Sequence, residues 1–343
     1  MLTVNAAGSE LDSTALALTG GTGSSDTLKV TSDASDTLLL NSMTAIENVT
    51  FVGTGAGTDT ITITPANAVV GAGANLKIDF TSMNDDILTL DVSAETNGTY
   101  TILTDGSGAH IITLGAGADS YNATGTPSSG IDTVVATGGA NIIKTGAGVD
   151  IVTAGTGKDT VSLGAAAADK ILFTAVGQIV TDTVTISDWE TTKIIDFTVG
   201  ATLTSAGRQL IELNAGADAA ATDGGQQVFT GTTDSDLTAA SDNDILIVLN
   251  STTNINTTDA LETALEFGGT YQMSNAAAAL AVGDTVLVAY DDGVNTYISM
   301  VTTNSVVAAE AYFGAGTLDA VQLITLSGVA NATGIAVGDI ILS

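Results

Sequence analysis

Hydrophobic and polar residues alternate along much of the chain, at the two-residue period of a β-strand. Six short runs of this kind occupy residues 27–30, 37–40, 49–52, 60–63, 76–80 and 87–90. Clusters of Gly, Asn, Asp or Ser separate the runs at about ten-residue spacing, which is typical of strands joined by turns. The pattern therefore predicts a β-solenoid or a β-sandwich over residues 1–103.

A nine-residue period replaces this alternation over residues 104–172. Its two clearest copies, TGAGVDIVT and AGTGKDTVS, follow each other from residue 145 to residue 162. Each copy holds two Gly and one Asp at fixed positions, and these are Gly146, Gly148 and Asp150, then Gly155, Gly157 and Asp159. A β-branched residue stands two positions after each Asp, where a short strand would point it into the core. The repeat predicts a stack of short strands joined by Gly-rich turns.

The position of the repeat that holds Asp150 and Asp159, called the slot below, recurs along the chain, and other residue types occupy some of its copies. Its other occupants are Asp59, His110, Asp119, Asp132, Asn141 and Asp169, the last of which arrives one residue late. The inward positions that accompany the repeats are Ile112, Tyr121, Val134, Ile143, Val152, Val161 and Ile171. A period kept over this many copies predicts one continuous roll.

These residue types suit the binding of Ca²⁺. A Gly-rich turn exposes its carbonyl oxygens and the Asp adds a carboxylate oxygen, and Ca²⁺ prefers such hard oxygen ligands. His110 in the same slot suits the ion poorly, because imidazole is a ligand for softer metals. The pattern also permits a solenoid without cations, in which each Asp caps its own turn through its side chain.

The charge of the chain favours cation binding. There are 38 Asp and Glu against seven Lys and Arg, which gives a formal net charge of −31. A compact domain with this charge repels itself, and bound divalent cations would relieve the repulsion. The same balance disfavours nucleic acid as a partner, because phosphate binding needs basic patches. The chain has no Cys, which excludes disulfides and Cys-ligated zinc.

Residues 173–343 predict a β-rich domain with one or two short helices. Residues 258–266 combine a Thr cap candidate with apolar residues at helical spacing, and residues 276–280 are a second candidate. A hairpin is predicted from 285–290 and 297–301, and strand-like runs close the chain at 321–326 and 339–343. No run reaches the roughly 20 apolar residues of a membrane span. The first residues also lack the basic and apolar regions of a cleavable secretory signal.

The predicted fold is therefore mostly all-β. It is a parallel β-roll or β-solenoid with Ca²⁺-binding nonapeptide turns at 104–172, flanked by the N-terminal β-region 1–103 and the C-terminal domain 173–343.

The repeats over residues 104–172 resemble the RTX (repeats-in-toxin) family of calcium-binding proteins. The resemblance implies that Ca²⁺ binds between neighbouring turns on each edge of the roll. Carried onto this chain, it implies the ligands Asp150, Asp159, Asp119, Asp132 and Asp59, with backbone carbonyls at Gly146, Gly148, Gly155 and Gly157. Asn141 and Asp169 occupy further slots and complete the set of candidate metal ligands.

Three further segments carry weaker resemblances. Residues 182–197 resemble the stretch that commonly follows an RTX roll. Residues 283–298 and 338–343 resemble the uncleaved C-terminal signal of proteins exported by type I secretion. Residues 46–51, within a region rich in Thr, Gly and Asp, resemble the repetitive β-regions of bacterial surface-layer (S-layer) proteins.

Together these resemblances imply a secreted, calcium-dependent structural protein that assembles on the cell surface as an S-layer. The implied partners are further copies of the chain in a two-dimensional lattice, the type I secretion machinery and a cell-surface polysaccharide. A secreted RTX adhesin or extracellular-matrix fibre subunit is the alternative. An enzyme is disfavoured, because the chain has no P-loop, HExxH or GxSxG motif and its single His, His110, stands in a repeat slot.

Overall fold

The structure is a computed structural model of the chain. It describes residues 2–6, 18–23, 25–32, 34–38, 40, 43–54, 57–83, 85–105, 108–123, 129–165, 168–174, 183–190, 192–197, 209–210, 225–229, 235–236, 244–250, 255–275, 282–308, 311–336 and 338–342. The chain divides into two compact units, Met1–Lys170 and Ile171–Ser343. The second predicted helix, 276–280, lies outside the described residues.

The described residues of the first unit form short strands and one 3-10 turn at Asn67–Val69. The strands are β1 (Leu2–Ala6), β2 (Leu18–Thr19), β3 (Thr27–Ser32), β4 (Asp36–Leu38), β5 (Met43–Thr44), β6 (Asn48–Gly53), β7 (Thr60–Ile63), β8 (Asn75–Ser82), β9 (Ile87–Asp91), β10 (Thr99–Thr104), β11 (Ile111–Thr113), β12 (Ser120–Ala123), β13 (Thr133–Val135), β14 (Ile142–Lys144), β15 (Ile151–Thr153) and β16 (Thr160–Ser162). All six strands predicted from alternation in the N-terminal part are present.

Fourteen of these strands form two parallel sheets that the chain visits in turn, and β2 pairs with β5 in a separate two-stranded sheet. One sheet has the order β1-β3-β6-β8-β10-β12-β14-β16, and the other has the order β4-β7-β9-β11-β13-β15. In the repeat block Val134 pairs with Val152 and Ile143 pairs with Val161, so one coil of the roll takes two nonapeptides. Each nine-residue repeat is therefore half a coil, consisting of one turn and one strand. The parallel β-roll predicted from the sequence is confirmed.

The core of the roll lies between the two sheets. All seven inward positions predicted from the repeat are fully buried. The strands alternate buried and half-buried residues, as β12 and β13 do. Burying each such Val, Ile or Tyr side chain contributes about 1.5–3 kcal/mol, and this is the main force that holds the short strands in register.

The second unit is β-rich and contains one described α-helix. Its elements are β17 (Lys170–Phe173) at the unit boundary, β18 (Val184–Ile186), β19 (Ile194–Phe197), β20 (Gln209–Leu210), β21 (Gly225–Phe229), β22 (Ser235–Asp236), β23 (Asp244–Leu249), α1 (Thr258–Leu265), β24 (Met273–Asn275), β25 (Asp284–Asp291), β26 (Thr296–Thr303), β27 (Ala311–Tyr312), β28 (Leu318–Leu326) and β29 (Ile340–Leu342), with a 3-10 turn at Ala332–Gly334. The main sheet has the order β18-β28-β26-β25-β23-β21 and β20 pairs with β25. Smaller groups are β29-β19-β17 and β22-β24-β27.

The predicted helix and hairpin of this unit are both confirmed. Helix α1 begins after Thr257, whose hydroxyl oxygen accepts a hydrogen bond from the Ala260 N–H at 3.1 Å. Such a cap contributes about 1 kcal/mol. Strands β25 and β26 pair antiparallel, and the turn between them passes through Gly293 at a φ of 84°. Within the described part of the chain, no helix combines the length and apolar character that crossing a bilayer requires.

Candidate metal centre

The Asp slots of the repeat form one column along each edge of the roll. The first edge, where turns lead into β12, β14 and β16, carries Asp119, Asn141 and Asp159. The second edge, where turns lead into β11, β13, β15 and β17, carries His110, Asp132, Asp150 and Asp169. The candidate ligands are thus divided between two edges, because successive nonapeptides lie on opposite sides of the core.

Each side chain in a column accepts a hydrogen bond from the backbone of the same slot one coil earlier. The Asp150 carboxylate accepts from the Asp132 N–H at 2.8 Å, and the Asp169 carboxylate accepts from the Asp150 N–H at 2.9 Å. On the first edge, Asp159 accepts from the Asn141 N–H at 3.0 Å. Because the coils are parallel strands in register, slots in a column repeat at about 4.8 Å. These hydrogen bonds from coil to coil form a ladder along each edge. On the second edge the ladder holds buried carboxylates close together, one coil apart.

Burial makes the ionised state of these carboxylates costly. Asp132 is 1 % exposed. Burial raises its pKa to about 7, although a 2.7 Å hydrogen bond from the Tyr121 hydroxyl opposes the rise and the charge of Asp150 adds to it. Burial also raises the pKa of Asp119. At neutral pH Asp132 needs either a proton or a cation beside it, and a cation beside Asp119 would offset the cost of burying its charge.

Glycines let the turns of neighbouring coils approach closely. Gly146, Gly148 and Gly157 have φ angles of 90°, 154° and 126°, in the region that favours glycine. A Cβ on Gly148 would collide with the carbonyl oxygen of Gly130, and one on Gly157 would collide with that of Gly139. Carbonyl oxygens of one turn thus face the backbone of the next turn in each column.

The donor set of the columns fits Ca²⁺. It consists of carboxylate and carbonyl oxygens, and Ca²⁺ takes about six to eight oxygen ligands, backbone carbonyls among them. Among the described residues, no three His, Cys, Asp or Glu side chains converge as a site built from side chains alone would need. A bound ion would therefore be held by Asp carboxylates together with the turn carbonyls. Gly155 also lies at a close approach between neighbouring turns, since a Cβ there would lie 2.6 Å from the Ala136 carbonyl oxygen.

His110 and Asn141 keep the ladder without contributing a charge. The Nδ1 of His110 accepts a hydrogen bond from the Leu88 N–H at 3.1 Å, and burial lowers the pKa of its imidazole to about 4. His110 is therefore neutral and serves as a buried acceptor. Asn141 accepts from the Asp119 N–H at 2.9 Å and donates its amide to Asp159 at 3.0 Å.

Asp59 does not join the central residues. It is half-buried, and its carboxylate lies 3.5 Å from the hydroxyl of Ser35. Its backbone N–H donates to the Asp86 carboxylate at 2.7 Å, so Asp86 is aligned with Asp59. Asp86 lies two residues before Leu88, which is the residue aligned with His110. The nine-residue pattern missed Asp86 because no Gly-x-Gly precedes it. Its position two residues before the inward Leu88 was the available signal.

Comparison with known protein families identifies the repeat. The RTX calcium-binding nonapeptide repeat matches residues 127–161, in four copies. RTX nonapeptide repeats bind Ca²⁺, so Ca²⁺ is the cofactor of this part of the chain. No curated protein and no solved structure matches the chain.

Proposed function

We propose that the protein is a secreted structural protein whose roll folds around Ca²⁺ outside the cell and then assembles on the cell surface as an S-layer. The observation that carries the proposal is the pair of buried carboxylate columns. Asp119, Asp132, Asp150 and Asp159 are each at most 1 % exposed in a chain of net charge −31. Asp132 and Asp150 lie one coil apart on one edge, and Asp119 and Asp159 lie two coils apart on the other. Bound Ca²⁺ supplies the positive charge that these columns need.

Calcium makes the fold conditional on location. A ligand that binds only the folded state stabilises that state, and the carboxylate columns exist only when the coils are stacked. In the cytosol Ca²⁺ is scarce, so the roll stays loose enough for export. Outside the cell, Ca²⁺ on the order of millimolar fills sites of the affinity that extracellular modules have.

Assembly follows from the surface of the same roll. Four large apolar side chains of the repeat block are about half exposed, and they are Ile111 (51 %), Ile131 (55 %), Ile142 (51 %) and Val149 (46 %). Ile131 and Val149 directly precede Asp132 and Asp150, so apolar surface lies beside the charged columns. Once Ca²⁺ neutralises the columns, these side chains can contact a second copy of the chain without strong repulsion.

The test compares Ca²⁺ with a salt that only screens charge. We expect millimolar CaCl₂ to produce ordered two-dimensional arrays, and NaCl of equal ionic strength to leave the protein dispersed. Light scattering followed by electron microscopy measures both. One-dimensional fibres would favour the matrix-fibre alternative, and persistent monomers in Ca²⁺ would refute assembly.

Export is proposed to use the C-terminal segment from Gly283 onward. Strands β25, β26 and β28 of this segment form the middle of the main sheet of the second unit, so deleting the segment would disrupt that unit as well as remove the signal. Fusing residues 283–343 to a cytosolic reporter avoids this problem. We expect the fusion to appear in the medium only when a type I secretion system is present, and retention of the reporter would refute this location of the signal.

A further inference from the structure

The coil that precedes the repeat block lacks an Asp in its slot on the first edge. The pairing of Ile102 with Tyr121 aligns Tyr100 with Asp119. The Tyr100 N–H donates to the Asp119 carboxylate at 2.8 Å, as the ladder requires. The backbone ladder thus continues through this coil, while the residue after its turn carries no carboxylate.

Glu95 supplies a carboxylate to this coil. It stands before the turn, whereas the Asp of the repeat stands after it. Its side chain is 1 % exposed. Its Oε1 accepts three backbone N–H groups of its own turn, from Thr96 at 3.0 Å, Asn97 at 2.9 Å and Gly98 at 2.8 Å. Asp119 binds its own turn in a similar way, since its Oδ2 accepts from the Gly115 N–H at 2.8 Å. Glu95, before the turn, therefore binds the backbone of its own turn as the Asp after the turn does in the next coil.

The second oxygen of Glu95 is buried as well. Within the described part of the chain, its Oε2 has no hydrogen-bond partner. Glu95 lies next to the Asp119 turn, because a Cβ on Gly115 would be 3.2 Å from the Glu95 Cβ. After burial, the charge of Glu95 is a further cause that raises the pKa of Asp119. A buried carboxylate oxygen left without a partner is costly, and a second carboxylate nearby increases the cost.

We propose that Glu95 and Asp119 hold a Ca²⁺ ion between their two turns, outside the residues that match the RTX repeat. Glu95 Oε2 and the Asp119 carboxylate are the side-chain ligands, and carbonyl oxygens of the two turns complete the shell. The site extends the first column one coil towards the N-terminus, into a coil with no nonapeptide motif. The inference rests on the proposed function in that both invoke the same cation.

Glu95→Gln tests the site with little change of shape. The amide keeps one oxygen to accept the three N–H groups and removes the charge. Titration calorimetry of the full chain with CaCl₂ should show one Ca²⁺ fewer per chain than the wild type. The melting temperature should be equal to or above that of the wild type without Ca²⁺, and below it in saturating Ca²⁺.

The reversal of sign distinguishes a ligand from a purely structural Glu. A structural Glu would lower the melting temperature equally in both conditions, and that result would overturn the inference. An unchanged Ca²⁺ stoichiometry would also overturn it. Glu190→Gln is the matched control, since Glu190 is exposed and the same chemical change there should leave both readouts unaltered. If the wild type itself bound no Ca²⁺, the proposed function would fail too, whereas normal wild-type binding with an unchanged variant would refute this site alone.

Discussion

Replacing Asp132 by Asn should stabilise the calcium-free protein and destabilise the calcium-loaded one. Asp132 is almost fully buried, and burial raises its pKa from 3.8 to about 7. One pKa unit corresponds to about 1.4 kcal/mol, so ionising this group costs the calcium-free fold about 4 kcal/mol. Asn avoids that cost. Asn141 shows that the amide fits such a slot, because it accepts the same ladder hydrogen bond.

The pH dependence gives the sign of the effect. The folded state holds the Asp132 proton more tightly than the unfolded chain does. Below pH 3.8 Asp132 is therefore protonated in both states, and its ionisation does not lower the free energy of unfolding. The calcium-free fold then loses stability as the pH rises to about 7, and it is weakest above that value. At pH 8 the variant should exceed the wild type by about 4 kcal/mol, and at pH 5.5 by about 2 kcal/mol.

Urea unfolding followed by circular dichroism measures these differences in calcium-free buffer at the two pH values. Asp319→Asn is the control, because it removes the same charge from an exposed position and so reports the general relief of self-repulsion. In saturating Ca²⁺ the order should reverse, since Asn binds the ion more weakly than a carboxylate. An Asp132→Asn variant that is no more stable than the wild type at pH 8 without Ca²⁺ would refute the reasoning.

Two further predictions concern other parts of the roll. Asp150→Ala and Asp159→Ala should each weaken Ca²⁺ binding by calorimetry, because each removes a charged oxygen ligand, while His110→Ala should leave the affinity nearly unchanged; an equal loss in all three variants would contradict the assignment of the slots. Gly157→Ala should lower the free energy of unfolding by about 1–3 kcal/mol with or without Ca²⁺, because the new Cβ strains a left-handed φ and meets the Gly139 carbonyl oxygen; unchanged stability in urea would contradict the close approach of the turns.

The roll could be predicted from the sequence alone because the nine-residue period specifies where each turn and each strand lies. Inward residues such as Val134 and Val152 recur at a fixed distance from the Gly and Asp of each turn, and this distance sets both the strand and its register. The helix at Thr258–Leu265 was also predictable, since its cap and its apolar spacing are local signals. The hairpin of β25 and β26 was predicted from two strand-like runs that a short turn containing Gly293 separates.

Glu95 and Asp86 could not be found in this way. Neither follows a Gly-x-Gly pair, and Glu95 stands before its turn where the repeat places Asp after it. Their roles depend on the register between coils of unequal length, which the pairings of β10 with β12 and of β7 with β9 define. A period in the sequence reveals only coils of equal length. A carboxylate that lies near the turns but comes from a different position of its coil is found only from the three-dimensional structure.

The neutral residues in the slots limit the charge that each column carries. Two unit charges 4.8 Å apart repel by roughly 3 kcal/mol at an effective dielectric constant of 20. Asn141 lies between Asp119 and Asp159 in the first column, and His110 lies before Asp132 in the second. Each of these two residues keeps the backbone hydrogen bond but adds no charge. The ladder and the charge are therefore separable functions of one slot: any good acceptor maintains the stacking of the coils, and only a carboxylate adds a strong ligand for Ca²⁺. By this argument the number of Ca²⁺ ions follows the number of carboxylates in the columns, Glu95 included, and not the number of repeats in the sequence.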